Sequence, residues 1–202
     1  MKTMKRILCL ALALSVVFAM TGCNKSPFSH DAVRKWAKAE DFDECDEIED
    51  LFEVVGTDTY AYVTATKRDA RNLFNTIIYT VQSDKPKYDF TKVTALYSQD
   101  DDGMCFIIAA TFEDRKDAEK FFEKYTNRHD FENANKFENE DKGEEKSYSY
   151  YIANAQNFYT KTTAIGLYQS GNTVIWIRSV TEDTEMAGNF CEHFNLISPM
   201  DA

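Results

Sequence analysis

Three histidines, five cysteines and two dense runs of carboxylates are the groups in this 202-residue chain that could do chemistry. His30, His129 and His193 stand far apart in sequence. His193 follows Cys191 by two residues, a spacing that on a helix points the two side chains about 200° apart, so one metal ion does not easily take both. The chain has no Gly-x-Ser-x-Gly, Ser-x-x-Lys, His-Glu-x-x-His or Gly-rich phosphate loop, the local patterns that place a nucleophile beside its base or cradle a phosphate. It has no Cys-x-x-Cys either, so neither a redox centre nor a zinc ribbon is supported. The sequence therefore assigns no catalytic residue, no metal ligand and no cofactor, and leaves the binding residues unknown.

The carboxylates are more conspicuous. Asp41, Asp43, Glu44, Asp46, Glu47, Glu49 and Asp50 crowd one stretch. A calcium loop needs oxygens converging around a sharp turn, with a central Gly. Here Phe42, Cys45, Ile48 and Leu51 interrupt the acids at helix-like spacing instead, which predicts a solvated helix face and its lead-in. Asp100–Asp102 before Gly103 predicts a polar hairpin tip. Aromatics make up 14% of the chain, and Tyr148, Tyr150, Tyr151, Tyr159 and Tyr168 gather in its last third. Two readings stand for them: strand formers on a half-buried face, or an exposed platform for a sugar ring or a protein partner.

Residues 1–22 read as an address rather than as fold. Lys2, Lys5 and Arg6 form a basic start, and Ile7–Met20 is an uncharged apolar run too short for a comfortable membrane span. The run ends in Met20-Thr21-Gly22-Cys23, which resembles a bacterial lipobox. That resemblance covers the first 23 residues. It implies that Cys23 is lipidated, with palmitate among its acyl chains, and becomes the first residue of a mature chain on the extracytoplasmic face of the cell membrane. Residues 23–28 would be the tether and 29–202 a single domain. The mature domain also resembles the small bacterial lipoproteins of unassigned function. Of the remaining thiols, Cys45, Cys105 and Cys191 are odd in number and imply no closed disulfide framework. Their use as buried small hydrophobes, or one disulfide among the three, are the alternatives.

Loss of the leader's three basic residues takes the net charge from −11 to about −14. Such acidity excludes nucleic-acid binding by phosphate neutralisation. It also disfavours adhesion of the domain itself to an anionic lipid surface. The membrane, through the lipid, and an envelope protein or wall component remain as partners.

The elements that must position these groups follow from periodicity. Val33, Trp36 and Ala37 predict a helix capped by Ser29, and Ile48, Leu51, Phe52 and Val55 a second, acidic one ending at Gly56. Tyr60–Ala65 predicts a strand before a helix carrying Ala70, Leu73, Phe74 and Ile77. Cys105–Phe112 does the same before Ala118, Phe121, Phe122 and Tyr125, and Val174–Val180 before Ala187, Phe190, Cys191 and Phe194. The last two units follow the hairpin strands Val93–Ser98 and Thr163–Gln169 and align without a gap, which suggests an internal repeat. Residues 127–146 predict an exposed excursion and 147–153 another strand. The result is an α+β domain: an antiparallel sheet with helices on one face, a ferredoxin-like βαββαβ order and a further ββα unit. A superfold carries no function with it. The leading expectation is a membrane-anchored binding module without catalysis. An envelope-acting hydrolase with a non-motif active site and a small-ligand-binding lipoprotein are the alternatives.

Overall fold

The computed structural model describes residues 28–53, 59–78, 88–101, 103–127, 137–156, 162–181 and 185–202. The leader, Cys23, most of the tether, Gly56, Asp102, His129, Tyr159 and the aligned pair Glu182–Asp183 lie outside them.

Ser29 caps the first helix as its type predicts, accepting a hydrogen bond from the Ala32 N–H at 3.1 Å. Helix α1 (His30–Ala39) buries Val33, Trp36 and Ala37. It closes where Asp41 takes φ 58°, a left-handed turn that Asp tolerates, and the Phe42 N–H returns to the Ala37 carbonyl at 2.9 Å. Among the described residues the acidic helix expected after it is α2 (Asp50–Glu53), which starts later than Ile48; its expected end at Gly56 lies outside them. Of the earlier acids, Asp43 and Glu44 form a two-residue edge strand, β1 (Asp43–Glu44), parallel to the next strand. Arg34 at 2.8 Å and Lys38 at 2.9 Å both reach Glu44 from α1, and hydrogen bonding from Lys38, then from the Tyr62 hydroxyl and Arg34, holds its carboxyl down at about 2.

The chain continues as β2 (Thr59–Thr66), α3 (Lys67–Ile78), β3 (Phe90–Gln99), β4 (Gly103–Phe112), α4 (Arg115–Thr126), β5 (Asn139–Glu144), β6 (Ser149–Gln156), β7 (Thr162–Ser170), β8 (Thr173–Thr181) and α5 (Glu185–Phe194), with a last 3₁₀ turn at Pro199–Asp201. The strands form one sheet in the order β1-β2-β3-β4-β8-β7-β6-β5, antiparallel except at β1. Both predicted hairpins are present. The second turns at Gly171, whose φ of 60° suits a residue without Cβ.

Four expectations are corrected. The helices cover both faces, not one. In β4 and β8, Ile107–Ala110 and Val174–Ile177 are apolar at consecutive positions, so each strand presents an apolar surface on either side and needs cover on both. Phe74 on α3 and Phe121 on α4 pack on one face with Phe90 and Phe112, ring centroids 4.6–6.0 Å apart. Trp36 on α1 and Phe190 on α5 meet edge-to-face at 5.0 Å on the other.

The ferredoxin-like arrangement is replaced. The chain order strand–helix–strand–strand–helix is there, but β2 lies directly beside β3 in an eight-pair antiparallel register, so there is no split βαβ crossover. The two strand–strand–helix units also differ in hand. β3-β4 and β8-β7 sit symmetrically about the sheet centre, yet α4 packs on one face and α5 on the other, so the units do not superpose. Finally, β5 falls inside the segment expected to be an exposed excursion. Its sequence, Asn-Glu-Asp-Lys-Gly-Glu, has no apolar residue, and a charged edge strand of this kind discourages further strand addition.

Candidate functional site

At one end of the α1/α5 face the two helices leave the sheet uncovered. Trp36 and Phe190 touch, but one helical turn further on α1 has ended at Glu40 and Asp41, and α5 is only beginning at Glu185 and Met186. The floor between them is a row of small residues, Ser98, Cys105 and Ser179, brought side by side by the β3–β4–β8 register. Small side chains under a helix gap leave a cleft of about 400 Å³, within the size range of small-ligand sites.

Each wall has its own chemistry. Glu40 and Asp41 come from the C-terminal end of α1, where the helix dipole is negative. Asp100 comes from the β3–β4 hairpin. Its Oδ1 accepts the Gly103 N–H at 2.9 Å and its Oδ2 the Tyr60 hydroxyl at 3.2 Å, so the turn fixes this carboxylate in place. Glu185 stands in the first turn of α5, where its charge offsets the positive end of that helix. Met104 and Met186 supply the apolar part of the lining, and Met104 is 41% exposed, the one large hydrophobic side chain in that state among the described residues. No Lys, Arg or His lines the cleft among the described residues.

The floor is chemically quiet. Burial, with Cys191 nearby, pushes the Cys105 thiol up to about 12, and burial does the same to Cys191. Cys45 is raised as well, by burial and then by Asp50, Asp43 and Asp46. All three are free thiols, protonated at neutral pH, and none is an activated nucleophile. Ser179 is 1% exposed, and its hydroxyl has no hydrogen-bond partner of ordinary geometry. The weakly bonding thiol of Cys105 is its neighbour across the strands.

The groups singled out in the sequence are thus partly gathered and partly dispersed. Asp41 and Asp100 reach the cleft, while the rest of the acidic run does not line it. Among the described residues no three His, Cys, Asp or Glu side chains converge closely enough to hold a metal ion. His193 is exposed on α5 beside Phe194. His30 is half-buried at the start of α1, bonded to two threonines.

The described late tyrosines do not form an exposed platform. Tyr148 and Tyr168 are buried and clamp the C-terminal segment. The Tyr168 hydroxyl donates to the Ile197 carbonyl at 2.6 Å, and that of Tyr148 donates to the Asn195 carbonyl at 3.2 Å. Tyr150 lies over Gly143 of the edge strand and donates to Asp141 at 3.0 Å. Tyr151 is half-buried on the opposite face. Glu40, Glu185 and Ser179 were not legible as site residues. Each belongs to a different element, and only the register and the helix ends bring them together. No protein-family model, no curated protein and no solved structure matches the chain, so the chemistry of this cleft rests on its own residues.

Proposed function

We propose that the chain is a lipid-anchored extracytoplasmic protein whose domain binds a ligand in the α1/α5 cleft without turning it over. One observation carries the binding reading: a cleft of about 400 Å³ with polar groups on several walls and, among the described residues, no activated nucleophile or histidine in its lining. The order basic start, apolar run, Gly22-Cys23 supports the anchor, two acyl chains being enough for stable attachment. Among the described residues no helix is long and apolar enough to cross a membrane. The four carboxylates also favour a second reading, an acid–base hydrolase of envelope material. It ranks lower because both oxygens of Asp100 already accept hydrogen bonds.

Cell fractionation combined with site-specific photo-crosslinking tests both halves. A crosslinking amino acid at position 104, on the cleft wall, is expected to give a defined adduct in cells, and one at Lys142 on the edge strand none. Cys23→Ser is expected to move the protein out of the membrane fraction and abolish the adduct. Retention of Cys23→Ser in the membrane would remove the anchor from the proposal. Equal adducts at 104 and 142 would remove the cleft.

A further inference from the structure

We infer that the cleft takes an alkyl cation: an ammonium or guanidinium group on a methylene stem, carried by a Lys or Arg side chain or by a free polyamine. The inference rests on the binding reading above and gives it a ligand class. Four acidic residues on three separate walls line a space that no described basic residue lines, and the α1 C-terminus adds its negative end to the same side. That arrangement alone describes an acidic surface. The floor adds an independent feature.

The Ser179 hydroxyl is buried, lines the cleft and has only the weakly bonding Cys105 thiol beside it, with no hydrogen bond of ordinary geometry. A buried hydroxyl left unbonded is costly, and native proteins keep few of them. A donor entering from the cleft would satisfy its oxygen, and a charged N–H donor would do so most strongly. An anion would meet four carboxylates, and a metal ion would lack three closely converging ligands. Met104 and Met186 give the stem of an alkyl cation an adaptable apolar wall, a role that suits the flexible thioether chain.

The test titrates the full-length protein in detergent with Nα-acetyl-lysine methylamide, Nα-acetyl-arginine methylamide, putrescine, CaCl₂ and Nα-acetyl-glutamate methylamide, reading heat of binding and backbone NMR shifts. One-to-one binding of an organic cation is expected, weakening as salt rises, with shifts at Ser98, Cys105 and Ser179. Preference for the amino-acid amides assigns a peptide-borne cation, and preference for putrescine a free polyamine. Glu40→Gln/Asp41→Asn/Glu185→Gln spares the Asp100 turn and keeps a residue tolerant of left-handed backbone at position 41. It is expected to weaken binding at least about tenfold, as loss of charge-assisted bonds does. Ser179→Ala is expected to weaken it about threefold to tenfold while leaving the unliganded protein as stable or slightly more so, because it removes an unsatisfied hydroxyl. Binding of the glutamate amide, stoichiometric binding of calcium that displaces the amines, or unchanged affinity in both variants would overturn the inference. Absence of any cation binding, with the position-104 adduct still forming in cells, would overturn the ligand class while leaving the binding reading standing.

Discussion

Gly166→Ala is expected to destabilise the domain by about 3–5 kcal/mol, the largest loss foreseen for adding a single methyl group to this fold. Gly166 sits in the middle of β7, paired with Ile152 on β6 and Ile177 on β8. A Cβ there would lie 2.6 Å from the Tyr168 hydroxyl and 2.8 Å from its ring. That ring is fully buried and meets Tyr148 edge-on at 5.9 Å, and its hydroxyl is bonded to the Ile197 carbonyl. Tyr168 leans back over the glycine in order to reach the C-terminal segment. Displacing it overpacks the core, at about 1–3 kcal/mol, and orphans a buried hydroxyl or carbonyl, at a further 1–3 kcal/mol or so.

Urea unfolding of Gly166→Ala, Tyr168→Leu and the double variant separates this account from general intolerance of a central strand. Removing the ring should relieve the clash, so the double variant should lose clearly less than the sum of the two single losses. A loss below about 1 kcal/mol for Gly166→Ala, or additive losses, would show that the ring is free to move. The same contact explains why the late tyrosines are not a recognition surface. The rings of Tyr150 and Tyr168 fill space above Gly143 and Gly166, and the hydroxyls of Tyr148 and Tyr168 tie down Asn195 and Ile197.

Local signals in the sequence were the dependable ones. The Ser29 cap, the apolar stripes of α1, α3, α4 and α5, the two hairpins and the alternation of Tyr148, Tyr150 and Tyr151 across β6 depend on residues within a few positions of one another. What failed was set by distant partners. Whether α5 crosses to the far face depends on what already covers the near one, and α3 and α4 cover it with a phenylalanine cluster. Edge strands β1 and β5 carry almost no apolar signal. One is held by Arg34 and Lys38 on a helix ten and six residues earlier, the other by backbone pairing to β6. The candidate site was the least legible of all. Glu40, Ser179 and Glu185 carry no signal of a site in sequence, and the cleft exists because two helices end where three small residues pair.

His30 is expected to make the domain lose about 3 kcal/mol of stability between pH 6.5 and pH 4. It is the first residue of α1, and both ring nitrogens are engaged: Nδ1 with Thr94 at 2.9 Å and Nε2 with Thr111 at 3.0 Å. Those hydroxyls continue to Thr64 at 3.0 Å and Thr173 at 2.9 Å, so one imidazole closes a hydroxyl chain across β2, β3, β4 and β8. Burial, then the charge of Lys92, lower the His30 pKa to about 4, against a smaller opposing effect of Asp31. In the unfolded chain the ring takes its proton near pH 6.5. Between those values the unfolded state binds the extra proton, so stability is complete above pH 6.5, falls as the pH falls, and levels off below about 4. Carboxylates titrate over part of the same range, but they do so equally in His30→Gln, which keeps a hydrogen-bonding group and cannot titrate. The difference in unfolding free energy between wild type and His30→Gln, measured at intervals from pH 7 to pH 4, should therefore shrink or reverse by about 3 kcal/mol. Parallel curves over that interval would mean that the imidazole is charged within the fold, with the threonine chain accepting from both nitrogens.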